Sequence, residues 1–177
     1  INGDGYHDVA IGSRMASPIG AFRAGQVHIV YGSAAGFTPV VDLATLDEGR
    51  GFRIDGLNEF DYLGGSLGGG GDVNGDGFDD LVIGAPRADA TGVLGAGITY
   101  VLFGSPTRSG APLDIGAFDG RAGLRLGGGT SGEYSGTAVA VANDINGDGY
   151  DDIVVGAPYA DPSGASSGAT YVLYGRD

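Results

Sequence analysis

The chain has 177 residues, 38 of them Gly, with 42% apolar residues, no Cys, and a formal charge of −13 from 22 acids against nine bases, all Arg. That charge repels nucleic acid and anionic lipid, and the lack of Cys excludes disulfides and zinc–thiolate sites. Gly stands at about three times its usual share without any Gly-x-y period, and the apolar content favours a packed core over disorder.

The first element is an acidic turn, INGDGYHD (1–8), that runs into the apolar stretch VAIG (9–12). It opens inside a motif, so the true N-terminus is expected elsewhere. GQVHIVYG (25–32) is a second apolar run and FRIDG (52–56) a third. A second round follows: YLGGSLGGGGD (62–72), DVNGDGFDD (72–80), an apolar run to Gly84-Ala85-Pro86, GITYVLFG (97–104) and LRLGG (124–128). The third round is YSGTAVAVAND (134–144), DINGDGYDD (144–152), a run to Gly156-Ala157-Pro158, and GATYVLYG (168–175). NGDG recurs at Asn2, Asn74 and Asn146, 72 residues apart both times, and the aromatic, acid and glycine after it keep that spacing. Four separate elements repeating in step define an internal repeat.

Each unit reads as four short strands: A (62–71), B (79–84), C (97–103) and D (52–56 or 124–128). The runs are β-branched or aromatic and bounded by Asp, Gly and Pro. Nothing sustains a 3.6-residue period, so no helix beyond a turn or two is expected. Strand A is the odd one, with six glycines between Gly64 and Gly71. It competes with a flexible loop, but its Ala/Val-rich copy at 134–142 reads as a strand. Gly also fits where backbones crowd, as on the innermost strand of a radial blade. The expected fold is all-β, with four-stranded antiparallel propeller blades, about two and a half repeats and an incomplete ring. Residues 1–59 form a partial blade (B-C-D), 60–131 a complete blade, and 132–177 a partial blade (A-B-C). Strands from a longer chain, or self-association of subunits, would complete it.

The Asp-rich turns carry the chemistry. Asp72, Asn74, Asp76 and Asp80 fall at positions 1, 3, 5 and 9 of one loop; Asp144, Asn146, Asp148 and Asp152 repeat them. Calcium takes six to eight hard oxygen ligands, which such a loop supplies, with the carbonyl of Phe78 or Tyr150 at position 7 adding another. Gly77 and Gly149 sit at the sharp turn, and Asp79 and Asp151, at position 8, are expected to point outward. Asn-Gly and Asp-Gly alone signal a metal-free hairpin; two intact copies of the 1-3-5-9 spacing favour calcium. An EF-hand is excluded because position 12 is Ile83 or Val155 rather than Glu. The first loop lacks its position-1 acid and keeps Asn2, Asp4, the Tyr6 carbonyl and Asp8, so a weaker or vacant site is expected there. His7 reads as a solvated loop residue and His28 as a surface or packing residue in strand C.

Aromatic-x-Gly (Tyr62-Leu63-Gly64, Tyr134-Ser135-Gly136), followed by DxNGDGxxD and Gly-Ala-Pro, resembles the FG-GAP repeat of integrin α chains and integrin-like bacterial proteins. The similarity covers nearly the whole chain. It departs at Gly12-Ser13-Arg14, where Gly-Ala-Pro is expected. The resemblance implies a β-propeller whose A–B loops bind calcium and whose ligand surface lies on the opposite face.

That opposite face consists of the B–C and D–A loops, 85–96, 157–167, 57–62 and 129–134, which hold Arg87, Asp89, Glu59, Phe60, Asp61, Tyr62, Asp161, Tyr159, Glu133 and Tyr134. Rigid scaffolds commonly recognise partners through such loops. The leading expectation is a calcium-binding recognition or adhesion module with a protein or glycan ligand, extracellular or periplasmic, and not an enzyme. No Ser/His/Asp or Cys/His set recurs. The alternatives are the accessory propeller of a secreted hydrolase and a structural surface array. With no apolar run of 18 residues and no leader, these residues are expected neither to span a membrane as a helix nor to direct their own export.

Overall fold

The structure is a computed structural model that describes residues 1–18, 20–47, 49–106 and 113–176. The described residues form ten strands: β1 (Val9–Ser13), β2 (Gln26–Val30), β3 (Gly51–Asp55), β4 (Ser66–Gly71), β5 (Asp80–Ala85), β6 (Ile98–Leu102), β7 (Gly123–Gly127), β8 (Ala138–Ala142), β9 (Asp152–Ala157) and β10 (Ala169–Leu173). They form three antiparallel sheets in the orders β1-β2-β3, β4-β5-β6-β7 and β10-β9-β8. This is the B-C-D, A-B-C-D, A-B-C order expected from the repeat, and the three blades do not close a ring. Among the described residues the helical content is two three-residue 3-10 turns, Leu43–Thr45 and Ile115–Ala117. Asp42 and Asp114 cap them by accepting the amides of Ala44 and Gly116.

The middle blade explains why the strand B sequence is apolar without alternation. All six residues of β5 are buried. Leu81, Ile83 and Ala85 face the first blade, joining Val27, Ile29, Phe52, Ile54, Tyr100 and Leu102 in one core. Val82 faces the third blade and meets Val73, Val101, Phe103, Ile153 and Val155 in a second. Side chains alternate across a strand, so a sheet covered on both faces needs apolar residues at every position. Each buried Val, Leu or Ile contributes about 1.5–3 kcal/mol. The outer blades lack that second neighbour. Tyr171 and Val172 of β10 are 47% and 46% exposed, whereas their counterparts Tyr100 and Val101 are 2% and 0%.

The glycine-rich segment is a strand. β4 packs along β8, and a Cβ at Gly68 would lie 2.8 Å from the Ala140 Cα. Gly71 is equally crowded, by Val141 and Asp151. Gly70 has a different role: at φ +92° it is the extra residue of a bulge between the Gly69–Leu81 and Gly71–Asp80 pairs. The bulge delivers the chain into the first turn of the acidic loop.

Candidate functional site

The two complete acidic loops each join an A strand to a B strand, and their position-1 aspartates organise the turn. Asp72 Oδ1 accepts the amides of Gly75 and Asp76 at 2.7 and 3.1 Å, and its Oδ2 accepts that of Gly77 at 2.8 Å. Asp144 does the same for Gly147, Asp148 and Gly149 at 2.6, 2.9 and 2.8 Å. Gly77 and Gly149 adopt φ +88° and +95°, which suits glycine far better than any L side chain. The Asp148 and Asp76 carboxylates each take the Asn amide two residues back and the aromatic amide two residues ahead. In the first loop Asn2, Asp4 and Tyr6 make the same contacts.

The position-9 aspartates are buried, 2% exposed for Asp80 and 0% for Asp152. Asp80 accepts the amides of Val73 and Gly104, both at 2.8 Å. Asp152 accepts those of Ile145 and Gly175 at 2.7 and 3.0 Å. Asp8 repeats the arrangement with the Ile1 nitrogen and the Gly32 amide, both at 2.9 Å. These residues therefore tie the loop to the end of strand C in every blade. Burial pushes the Asp80 carboxyl up to about 6; the Gly104 and Val73 amides pull it down, and the charges of Asp76 and Asp72 raise it. Asp144 is shifted below the usual carboxylate value, chiefly by the Gly149 amide; desolvation opposes the shift, and the Asp148 and Gly147 amides add to it.

The donor set is all oxygen: carboxylates at positions 1, 5 and 9, an amide at 3 and a carbonyl at 7. That chemistry fits a hard cation such as calcium. Among the described residues no three His, Cys, Asp or Glu side chains converge on one metal-holding point; the loop carboxylates turn instead to backbone amides. The aromatics at position 7 point away from these oxygens. Phe78 lies against Gly3, and Tyr150 against Gly75, the first glycine of the preceding blade's NGDG turn.

The FG-GAP repeat family matches residues 1–30, 63–102 and 135–173, more than half of the chain. The chain belongs to the FG-GAP repeat family. Over 98% of its length it is 32% identical to phosphatidylinositol-glycan-specific phospholipase D of Homo sapiens and 34% identical to integrin alpha-PS2 of Drosophila melanogaster. Integrin alpha-6 of Homo sapiens is 43% identical over 51% of the chain. The chain spans 19% of the phospholipase, 11% of integrin alpha-PS2 and 7% of integrin alpha-6. The three matched segments of the FG-GAP chain each contain one acidic loop, or what remains of it in the first repeat.

At the other end of the FG-GAP blades the B–C and D–A loops bring aromatics and arginines together. The Arg87 guanidinium lies 5.2 Å from the Tyr62 ring centre and 5.6 Å from that of Tyr134, so it sits between two blades. Tyr134 meets Tyr159 edge-on at 5.4 Å. Phe22 meets Phe60 at 5.5 Å, with Arg23 over Phe22 at 5.1 Å. Tyr62, Tyr134, Phe60 and Arg23 all have φ between +52° and +64°. Such left-handed non-glycine residues cost of order 1–3 kcal/mol each and cluster at functional surfaces.

Two expectations for side chains need correcting. Asp151 does not point outward: its carboxylate accepts the Asp72 amide of the neighbouring blade at 2.8 Å. Asp79, by contrast, is exposed. Asp61 and Glu133 are not recognition residues, being 5% and 1% exposed. Asp61 accepts from the amide and side chain of Asn58, and Glu133 from the Gly129 amide and the Thr130 hydroxyl. They pin the turn before each Tyr. Their 72-residue spacing, one acid directly before each repeat tyrosine, is the signal that marks this structural role. His28 is buried in β2, its Nδ1 without a partner among the described residues, and serves as a packing residue.

Proposed function

We propose that this FG-GAP chain is a calcium-stabilised, non-catalytic recognition module that works outside the cytoplasm and meets a protein or glycan through its B–C and D–A loops. The row of exposed or half-exposed aromatics around Arg87 and Arg23, opposite the acidic loops, carries this reading. Aromatic and Arg side chains dominate binding energy at interfaces, and here they stand on two-sided, tightly packed blades. Asp72, Asn74, Asp76, the Phe78 carbonyl and Asp80 would hold one calcium ion, and Asp144, Asn146, Asp148, the Tyr150 carbonyl and Asp152 a second. The bound ion would supply positive charge that offsets repulsion among the loop carboxylates. Asn2, Asp4, Tyr6 and Asp8 form a poorer site. Affinities of about 10⁻⁴–10⁻³ M, usual for extracellular modules, match an extracellular setting.

The test uses glycan-array and secreted-protein capture with two sets of variants. Arg87→Glu and Tyr159→Ala alter the aromatic row; Asp47→Arg and Asp119→Arg alter the C–D loops beside the acidic loops. Loss of capture with the first set alone is the expected result, and loss with the second set alone contradicts the proposal. The match to a phospholipase D over nearly the whole chain favours a second reading, an accessory propeller whose partner is a catalytic domain. In either reading this chain alone hydrolyses no glycosylphosphatidylinositol substrate.

A further inference from the structure

Successive acidic loops are not independent. Asp151 holds the backbone of Asp72 at both ends: its carboxylate accepts the Asp72 amide at 2.8 Å, and its own amide donates to the Asp72 carbonyl at 3.1 Å. The absence of a side chain at Gly71 leaves room for that carboxylate, since a Cβ there would lie 2.6 Å from Asp151 Oδ2. Two more contacts fix the same loop from the same blade. The Tyr150 ring covers Gly75, and the Arg176 amide donates to the Val73 carbonyl at 3.0 Å. The second-to-first blade contact repeats part of this, with Phe78 over Gly3 and the Ser105 amide donating to the Ile1 carbonyl at 2.9 Å.

We propose that Asp151 is a positioning residue for the calcium loop of the neighbouring blade, fixing Asp72 so that loop 72–80 is assembled only when loop 144–152 is docked on it. The proposal rests on the calcium reading given above. Asp72 is position 1 of its loop, and its carboxylate sets the turn through the Gly75, Asp76 and Gly77 amides. A residue that locks the Asp72 peptide therefore locks the direction of that carboxylate. Outer partners of this kind orient the groups that touch a metal. Asp79, the matching residue of the second loop, is exposed, and the residue it would hold by the 72-residue repeat lies ahead of Ile1.

The experiment is a calcium titration of the whole chain followed by the Gly77 and Gly149 amide resonances, which report the two loops separately. In Asp151→Ala the half-saturation concentration read at Gly77 is expected to rise roughly tenfold, the lower end for outer-shell partners, while the value at Gly149 stays unchanged. Asp151→Asn keeps an oxygen that can accept the Asp72 amide and is expected to restore Gly77 nearly to its original value. Asp79→Ala is expected to move neither. An unchanged Gly77 midpoint in Asp151→Ala overturns the proposal. So does an equal shift at both glycines that Asp151→Asn fails to rescue, which would mark Asp151 as a general packing residue. No calcium response at either glycine in the unaltered chain would overturn the calcium reading itself, and this inference with it.

Discussion

Asp76 and Asp148 each stand at the centre of an acidic loop, linking the Asn at position 3 to the aromatic at position 7. Removing either carboxylate takes a proposed ligand from one site only, so Asp76→Ala or Asp148→Ala is expected to abolish about half of the calcium-dependent stabilisation. Calorimetric melts with and without calcium check this. His28 offers a separate test that involves no metal. Burial lowers its pKa, Arg53 opposite it on β3 lowers it further, and Asp55 partly opposes both. The folded state therefore favours the neutral ring, and the unfolded chain takes up the proton first. Stability is full above the unfolded value of about 6.5 and is lost as the pH falls through the lowered folded value. His28→Gln is expected to flatten this part of the melting profile between about pH 7.5 and pH 5; an equally steep profile in the variant would assign the slope to carboxylates. At this scale the sequence marks the loop residues well, because their spacing is local. The role of Asp151 and the burial of Asp61 and Glu133 depend on what a neighbouring blade or a folded-back turn places beside them, which spacing within one loop does not encode.

At the scale of the element, equivalent glycines have different surroundings. A Cβ at Gly84 in β5 would overlap the Gly136 carbonyl oxygen and the Ser66 hydroxyl. At Gly156 in β9 the nearest atom would be the Ala138 Cβ at 3.5 Å, an ordinary contact. Gly84→Ala is thus expected to cost about 1–3 kcal/mol through overpacking, and Gly156→Ala less than about 1 kcal/mol. Urea denaturation of both variants decides, and equal losses would contradict the packing described here. Strand positions and their order were readable from the 72-residue repeat, since β-type runs and turn residues are local signals. The identity of the glycine-rich segment was harder to read, because glycine lacks strand propensity of its own. Its Ala/Val-rich copy in β8 resolves it, and the crowding at Gly68 and Gly71 supplies the physical reason. The Gly70 bulge had no sequence signal apart from one more glycine in a run of them.

For the whole molecule, three blades in sequence share two cores, and the acidic loops and the aromatic row occupy opposite ends. The net charge of −13 is concentrated in part in those loops, so a divalent cation held as proposed would relieve repulsion while ordering the turns. Mass action at about 1 mM calcium, with dissociation constants of about 10⁻⁴–10⁻³ M, gives roughly 0.4–1.4 kcal/mol per site. Two such proposed sites would shift the melting temperature by several degrees. The most direct measurement is therefore the melting temperature of the unaltered chain in 1 mM calcium and in excess chelator (about the extracellular level and none), beside the Asp76→Ala/Asp148→Ala double variant. The account predicts a rise of several degrees with calcium in the unaltered chain and almost none in the double variant. Identical melts in calcium and chelator, or a calcium response that survives in the double variant, would contradict it.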